Sequence, residues 1–200
     1  MEISVEGHQL EFVPVPIRFR KHGIGNVFAA RNDKTLGETL LVRRYANMSD
    51  DVHNRYASSL DDKLGKFLHR LKTSNDDFYK RFLNRHGDDE FCDFSIERTS
   101  LSLRKGLYCF VIGGEVKYVG RSHDPFKKRF NQEYGHISPQ SCYLDGQSTN
   151  CHINALIAMN HAVVSLFVCP MESDLEIDRL ERLLIDSHQP EWNIQLRRSV

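Results

Sequence analysis

Apolar positions change period several times along this chain, and each change marks an element. Near the start, Ile3 and Val5 alternate with polar residues, and an apolar stretch from Leu10 to Phe19 is interrupted by Pro14 and Pro16. A strand-rich segment is predicted over residues 1–46, its middle confined to a sheet edge because each proline removes a backbone donor. From Ser49 to about Lys72 the spacing lengthens to three and four, through Val52, Tyr56, Leu60, Leu64, Phe67, Leu68 and Leu71. That period predicts a helix, with Ser49 and Asp50 as its start. A second, shorter helix follows, with Ser74 as cap, Asp77 at the capping-box offset, Phe78, Phe82 and Leu83 on its apolar side and Gly87 at its end. The acidic stretch HGDDEFCDF then leads on as a linker or strand.

The stretch from Gly106 to Gly120, GLYCFVIGGEVKYVG, predicts a tight hairpin. Its two apolar runs flank Gly113-Gly114, a pair able to supply the positive φ angles of a two-residue turn. Asp124 as cap and Pro125 at the first helical position predict a helix to about Glu133, anchored by Phe126 and Phe130. Residues 135–148 read as loop. A helix starting at Thr149 or Asn150, with Ile153, Leu156, Ile157 and Met159 as its apolar positions, precedes a β-branched strand from Ala162 to Pro170. The last helix begins at Ser173, with Glu176 as capping-box partner, buries Ile177, Leu180 and Leu184, and ends before Pro190.

Composition narrows the class. With 200 residues, 40% apolar and 27% charged, the chain suits one globular domain or a compact domain carrying a substantial extension. Its 27 basic and 27 acidic residues cancel, so attraction to an anionic partner has to come from local clusters. One such cluster is Lys127, Lys128 and Arg129 beyond the hairpin. Another is Arg18, Arg20, Lys21, Arg31, Lys34, Arg43 and Arg44, read either as a solvated surface or as a DNA-contacting arm. The five cysteines, Cys92, Cys109, Cys142, Cys151 and Cys169, lack zinc-site spacing and disulfide-scaffold density, which suits a reducing, cytoplasmic setting. Neither a membrane span nor a signal peptide is expected. The ten histidines form no zinc signature.

Residues 106–193 resemble the GIY-YIG nuclease family. The two namesake tripeptides stand as Gly106-Leu107-Tyr108 and Tyr118-Val119-Gly120, Arg129 falls at the place of the family's helix arginine, Glu181 lies in LERLLI like its metal-binding glutamate, and Asn193 follows in QPEWN. The resemblance implies that Tyr108, with Tyr118 nearby, orients or deprotonates the attacking water. It makes Arg129 the phosphate ligand and Glu181 the holder of one divalent cation, Mg2+ or Mn2+, that stabilises the leaving oxygen. Arg121, after the second tripeptide, takes a position where relatives often carry a lysine. A free tyrosine titrates near about 10, so Tyr108 would need a cation such as Arg121 or Arg129 to act as a base. The chain departs from the pattern one turn after Arg129. Relatives often place a histidine or tyrosine there; this chain has Glu133, then Tyr134 and His136, of which Tyr134 is preferred as the assisting group. Arg121, Lys127, Lys128, Asn150 and Asn193 are the expected substrate contacts, Asn193 having a structural role as well.

The fold thereby implied is α+β, a small antiparallel sheet of about three strands flanked by helices over residues 101–200, with an N-terminal α/β extension over residues 1–100. Among family members the type II restriction enzymes are the nearest likeness. That implies double-stranded DNA as substrate, base reading by the extension and by the 135–149 loop, a homodimer joined through the 49–85 helices, and a DNA methyltransferase as functional counterpart. Two alternatives remain: a repair, recombination or mobile-element nuclease acting on branched, damaged or modified DNA, and a non-catalytic nucleic-acid-binding module.

Overall fold

The computed structural model describes residues 1–30 and 34–194, so Arg31 of the N-terminal basic group lies outside the described residues. In chain order the elements are β1 (Glu2–Val5), β2 (His8–Glu11), β3 (Val13–Val15), β4 (Ile17–Ile24), α1 (Leu36–Leu40), α2 (Ser49–Tyr56), α3 (Leu64–Thr73), β5 (Phe91–Ile96), β6 (Gly106–Ile112), β7 (Glu115–Ser122), α4 (Phe126–Lys128), α5 (Pro139–Cys142), α6 (Ser148–Met159), β8 (Val164–Pro170) and α7 (Asp174–His188). The class is α+β, with antiparallel sheets flanked by helices. The chain groups into two compact units. The described residues of Met1–His22, Cys92–His136 and Leu156–Val200 form the first, and those of Gly23–Phe91 and Ile137–Ala155 form the second. A boundary at residue 100 therefore falls inside the first unit.

The first unit is built on a four-stranded sheet in the order β3-β8-β6-β7. That is one strand more than the three expected, and the addition comes from the supposed extension: Val13, Pro14 and Val15 lie opposite Val168, Phe167 and Leu166. Pro14 sits on an edge strand, as its missing N–H requires. In the central β6, alternation sorts the side chains. Leu107, Cys109 and Val111 join Ile3, Val5, Phe12 and the α7 residues Ile177, Leu180, Leu184 and Ile185 in one apolar core. Tyr108 and Phe110 point to the opposite face, against Tyr118, Phe130 and Tyr134, with Trp192 packed on Phe110. The β6–β7 turn is closed by Gly113 and Gly114 at φ 58° and 85°, the positive values the sequence called for. Ser173 caps α7, its hydroxyl accepting from the Glu176 N–H at 3.4 Å.

The second unit is helical around Phe28, Leu36, Tyr45, Val52, Phe67, Leu68, Phe82 and Tyr143. Strand structure stops at Ile24, and helical turns take over where the mixed segment to residue 46 was expected to remain strand-rich. The single helix expected over 49–72 is two. Leu60 and Asp62 give their carbonyls to the Gly37 and Leu36 N–H groups at 2.8 and 2.9 Å, and Leu64 donates to Lys34 O at 3.0 Å, so the backbone between α2 and α3 is committed to α1. Residue 48, not Ser49, precedes α2. The next helical segment, Asp77–Phe82, is a 3-10 helix capped by Asp76, which accepts from Phe78 N–H at 3.0 Å. Ser74 instead turns back onto the Arg70 and Leu71 carbonyls, both at 3.0 Å. Within the expected 135–148 loop, Ser138 caps the short α5.

Candidate active site

Both namesake glycines have steric reasons. Gly106 holds φ 145°, and a Cβ there would run into Cys169 O across the β6–β8 pairing. At Gly120 a Cβ would come within 2.6 Å of the Tyr108 ring carbon and hydroxyl and 2.7 Å of the Tyr118 ring. Glycine at this point of β7 lets the two tyrosines lie side by side, with ring centroids 6.1 Å apart.

The helix after the hairpin starts at Phe126, with Pro125 as its cap residue; the Asp124 side chain instead accepts from Lys128 Nζ at 2.7 Å. Past Lys128 the helix widens into a π turn over Arg129–Glu133, where Tyr134 N–H donates to Arg129 O at 3.0 Å. Such single-turn π bulges insert one residue into a helix and recur at functional sites. Its effect here is to set Tyr134, rather than Glu133, one turn beyond Arg129 on the inward side. Gly135 closes the turn, because a Cβ would strike Phe130 O and Phe94 O.

The three tyrosines and Arg129 form one network. Tyr108 OH donates to Tyr134 OH at 3.1 Å, and Tyr118 OH lies 3.2 Å from the same oxygen. Arg129 donates from Nε to Tyr108 OH at 3.2 Å and from Nη2 to Tyr134 OH at 2.9 Å, with its Cζ 4.3 Å above the Tyr134 ring. Its Nη1 is held by Glu133. Tyr108 and Tyr134 are fully buried, whereas the Arg129 and Glu133 side chains keep 24% and 27% exposure, enough for a ligand to reach them.

Burial pushes all three phenols above the ordinary tyrosine value; Arg129 opposes the shift and does not cancel it. For Arg129 burial works against the charge, but Tyr108, Tyr134 and Glu133 outweigh it and keep the guanidinium protonated. The phenols are thus neutral groups that orient, not groups poised to take a proton. Of the three assisting candidates, Tyr134 and Glu133 both bond Arg129, Tyr134 from among the buried phenols and Glu133 from the more open side. His136 is largely exposed, with Nδ1 3.6 Å from Asp93.

Glu181 projects from α7, only 8% exposed, and accepts from Arg121 Nη1. Burial raises its carboxyl above the ordinary value, Arg121 pulling the other way. Glu181 and the tyrosines are within electrostatic reach: Arg129 acts on Glu181, and Glu181 on Tyr118. Arg121 Nε and His123 Nε2 lie 3.1 and 2.9 Å from Asp178 Oδ1, close enough for Coulombic pairing though not aligned as hydrogen bonds. Among the described residues no three His, Cys, Asp or Glu side chains group as ligands for a metal. One desolvated carboxylate still fits Mg2+, which commonly takes one or two carboxylates and fills its remaining positions with water and phosphate oxygens.

The expected substrate contacts are dispersed. Arg121 is engaged with Glu181 and Asp178. Lys127 is half-buried and Lys128 is exposed and paired to Asp124. Asn193 is buried and spends its amide on β7, accepting from Val119 N–H at 2.8 Å and donating to Val119 O at 2.7 Å, which is the structural part of its expected role. Asn150 belongs to the second unit, where it is buried and donates to Gln147.

Two features went unread in the sequence. The Glu133 contact with Arg129 joins oppositely charged residues four apart, and that spacing, which brings side chains together on a helix, was its signal. Asn131 reproduces the Asn193 device on β5, accepting from Ile96 N–H at 2.8 Å and donating to Ile96 O at 3.1 Å. Asparagine inside a predicted helix, where it is a weak former, was the only signal.

Comparison with protein-family models, with curated proteins and with solved structures finds no match. No helix among the described residues is long and apolar enough to cross a membrane.

Proposed function

We propose that this chain is a metal-dependent DNA endonuclease of the GIY-YIG type, hydrolysing phosphodiester bonds at a specific sequence as type II restriction enzymes do. The observation that carries the reading is the guanidinium of Arg129, fixed by Tyr108, Tyr134 and Glu133 and still partly open to solvent. A guanidinium has five N–H donors. These bonds leave one on each terminal nitrogen, the fork that meets two phosphate oxygens. Tyr108 and its partners hold that fork rigid, so the stabilisation of phosphoryl charge comes preorganised. Glu181 is the residue that would hold Mg2+ or Mn2+, and the ion's contribution would be to neutralise charge on the leaving oxygen. Duplex DNA is the substrate in this reading, a second copy of the chain cuts the other strand of a palindromic site, and a methyltransferase protects the host sequence.

The test is incubation of the purified protein with plasmid and genomic DNA, with Mg2+ and with EDTA, and mapping of the ends. Discrete fragments formed only with metal are expected, and Arg129→Ala should slow cutting by about a hundredfold or more. Cleavage confined to branched, damaged or modified DNA would move the protein to a repair or recombination role. Equal behaviour of wild type and Arg129→Ala on every DNA would remove the catalytic reading.

A further inference from the structure

Resting on the nuclease reading, we infer that Glu133 is the general base, the group that takes the proton from the attacking water. A base must reach the water beside the bound phosphate and must be ionised before the reaction. The three phenols fail the second condition, since burial keeps them protonated. They are also engaged with one another and with Arg129.

Glu133 has the position for this task, its carboxylate paired with the Arg129 guanidinium and partly open to solvent. Its Oε2 accepts from Arg129 Nη1, so its carboxylate stands against the guanidinium that would hold the phosphate. With 27% exposure it can admit a water between itself and the phosphate, and its hydrogen bonding among the described residues runs to Arg129 through Oε2. The same ion pair fixes its rotamer. The cations that act on it are Arg129 and, at longer range, Lys128. Glu181 is committed to Arg121, and His136 lies by Asp93, so neither offers a carboxylate or imidazole beside Arg129.

In the step, the water oxygen forms the new bond to phosphorus while its proton passes to the Glu133 carboxylate. The bond from phosphorus to the leaving sugar oxygen breaks, its electron pair stays on that oxygen, and solvent supplies the proton there. Glu133 then returns its proton to solvent, and the enzyme is regenerated.

The experiment measures single-turnover cleavage of a plasmid that the wild type cuts in Mg2+, with DNA binding measured separately in EDTA, for wild type, Glu133→Gln, Glu133→Asp and Tyr108→Phe. Glu133→Gln should lose about a hundredfold or more in rate. It should bind DNA at least as tightly as wild type, since it removes a negative charge next to the phosphate seat. Glu133→Asp should recover part of the rate, and Tyr108→Phe should lose less than Glu133→Gln. A Glu133→Gln rate within about threefold of wild type, or no recovery in Glu133→Asp relative to Glu133→Gln, overturns the assignment while leaving the nuclease intact; the factor is small against the hundredfold expected of a base. Loss of rate together with loss of DNA binding also overturns it, making Glu133 a support for Arg129. If the wild type itself cuts no DNA, the nuclease reading and this assignment fall together.

Discussion

Gly120 and Tyr134 show how single atoms shape this site. At Gly120 a methyl group would meet the Tyr108 hydroxyl carbon at 2.6 Å and the Tyr118 ring at 2.7 Å, so the rings must part. Gly120→Ala is expected to lower stability by about 1–3 kcal/mol, read from denaturant melts. Cleavage should fall further than stability, because the displaced rings are those that hold Arg129. Tyr134 contributes to the pH dependence. Its phenol, like those of Tyr108 and Tyr118, titrates above the ordinary 10.0 in the folded chain because burial disfavours the anion. Above that ordinary value the unfolded chain has lost protons that the folded chain retains, so stability is complete below it and falls as pH rises. Each such phenol contributes a slope of about 1.4 kcal/mol per pH unit. Tyr134→Phe should flatten the alkaline decline by about that amount, even though at neutral pH it is less stable than wild type. An equally steep decline in the variant would show that the phenol is not held protonated.

At the scale of elements, the π turn and the two backbone-pairing asparagines do the positioning. Asn131 ties the turn bearing Arg129 to β5 through both backbone groups of Ile96. Asn131→Ala leaves that N–H and C=O without their partner, a cost of about 1–3 kcal/mol. The same variant should lower the cleavage rate by loosening Arg129, with urea melts and single-turnover rates as the two measurements. Sequence periodicity located this helix and its Phe126 and Phe130 anchors, both fully buried. It missed the π turn, since an inserted residue leaves no mark in a pattern that ends at Gly135. The long helix over 49–72 failed for a related reason. Its apolar spacing continues through Leu60, but the backbone there bonds to residues 34–37, a tertiary contact that spacing does not encode.

For the molecule as a whole, the sheet that carries the site depends on residues the sequence pattern assigns to an extension. β3 completes the β8 edge, Ile3, Val5 and Phe12 cover one face of β6, and β5 holds Asn131. A fragment starting at residue 101 should therefore lack the cooperative thermal transition of the full chain, as followed by circular dichroism. A fragment that melts cooperatively at the full chain's temperature would mean these strands are dispensable.

The hairpin and its Gly113-Gly114 turn, the cap of α7, the edge strand at Pro14 and the ordered series Tyr108, Tyr118, Arg129, Glu181 and Asn193 were all legible in the sequence. Each rests on local rules, a period, a cap or a φ angle, and the series on its likeness to a family pattern. Only the tertiary structure decided that Tyr134 joins the network, that Asn193 serves β7 and that the N-terminal strands belong to the same unit as the site. Those outcomes depend on which distant backbone groups and rings come within a few ångströms of one another, and spacing along the chain carries no such distances.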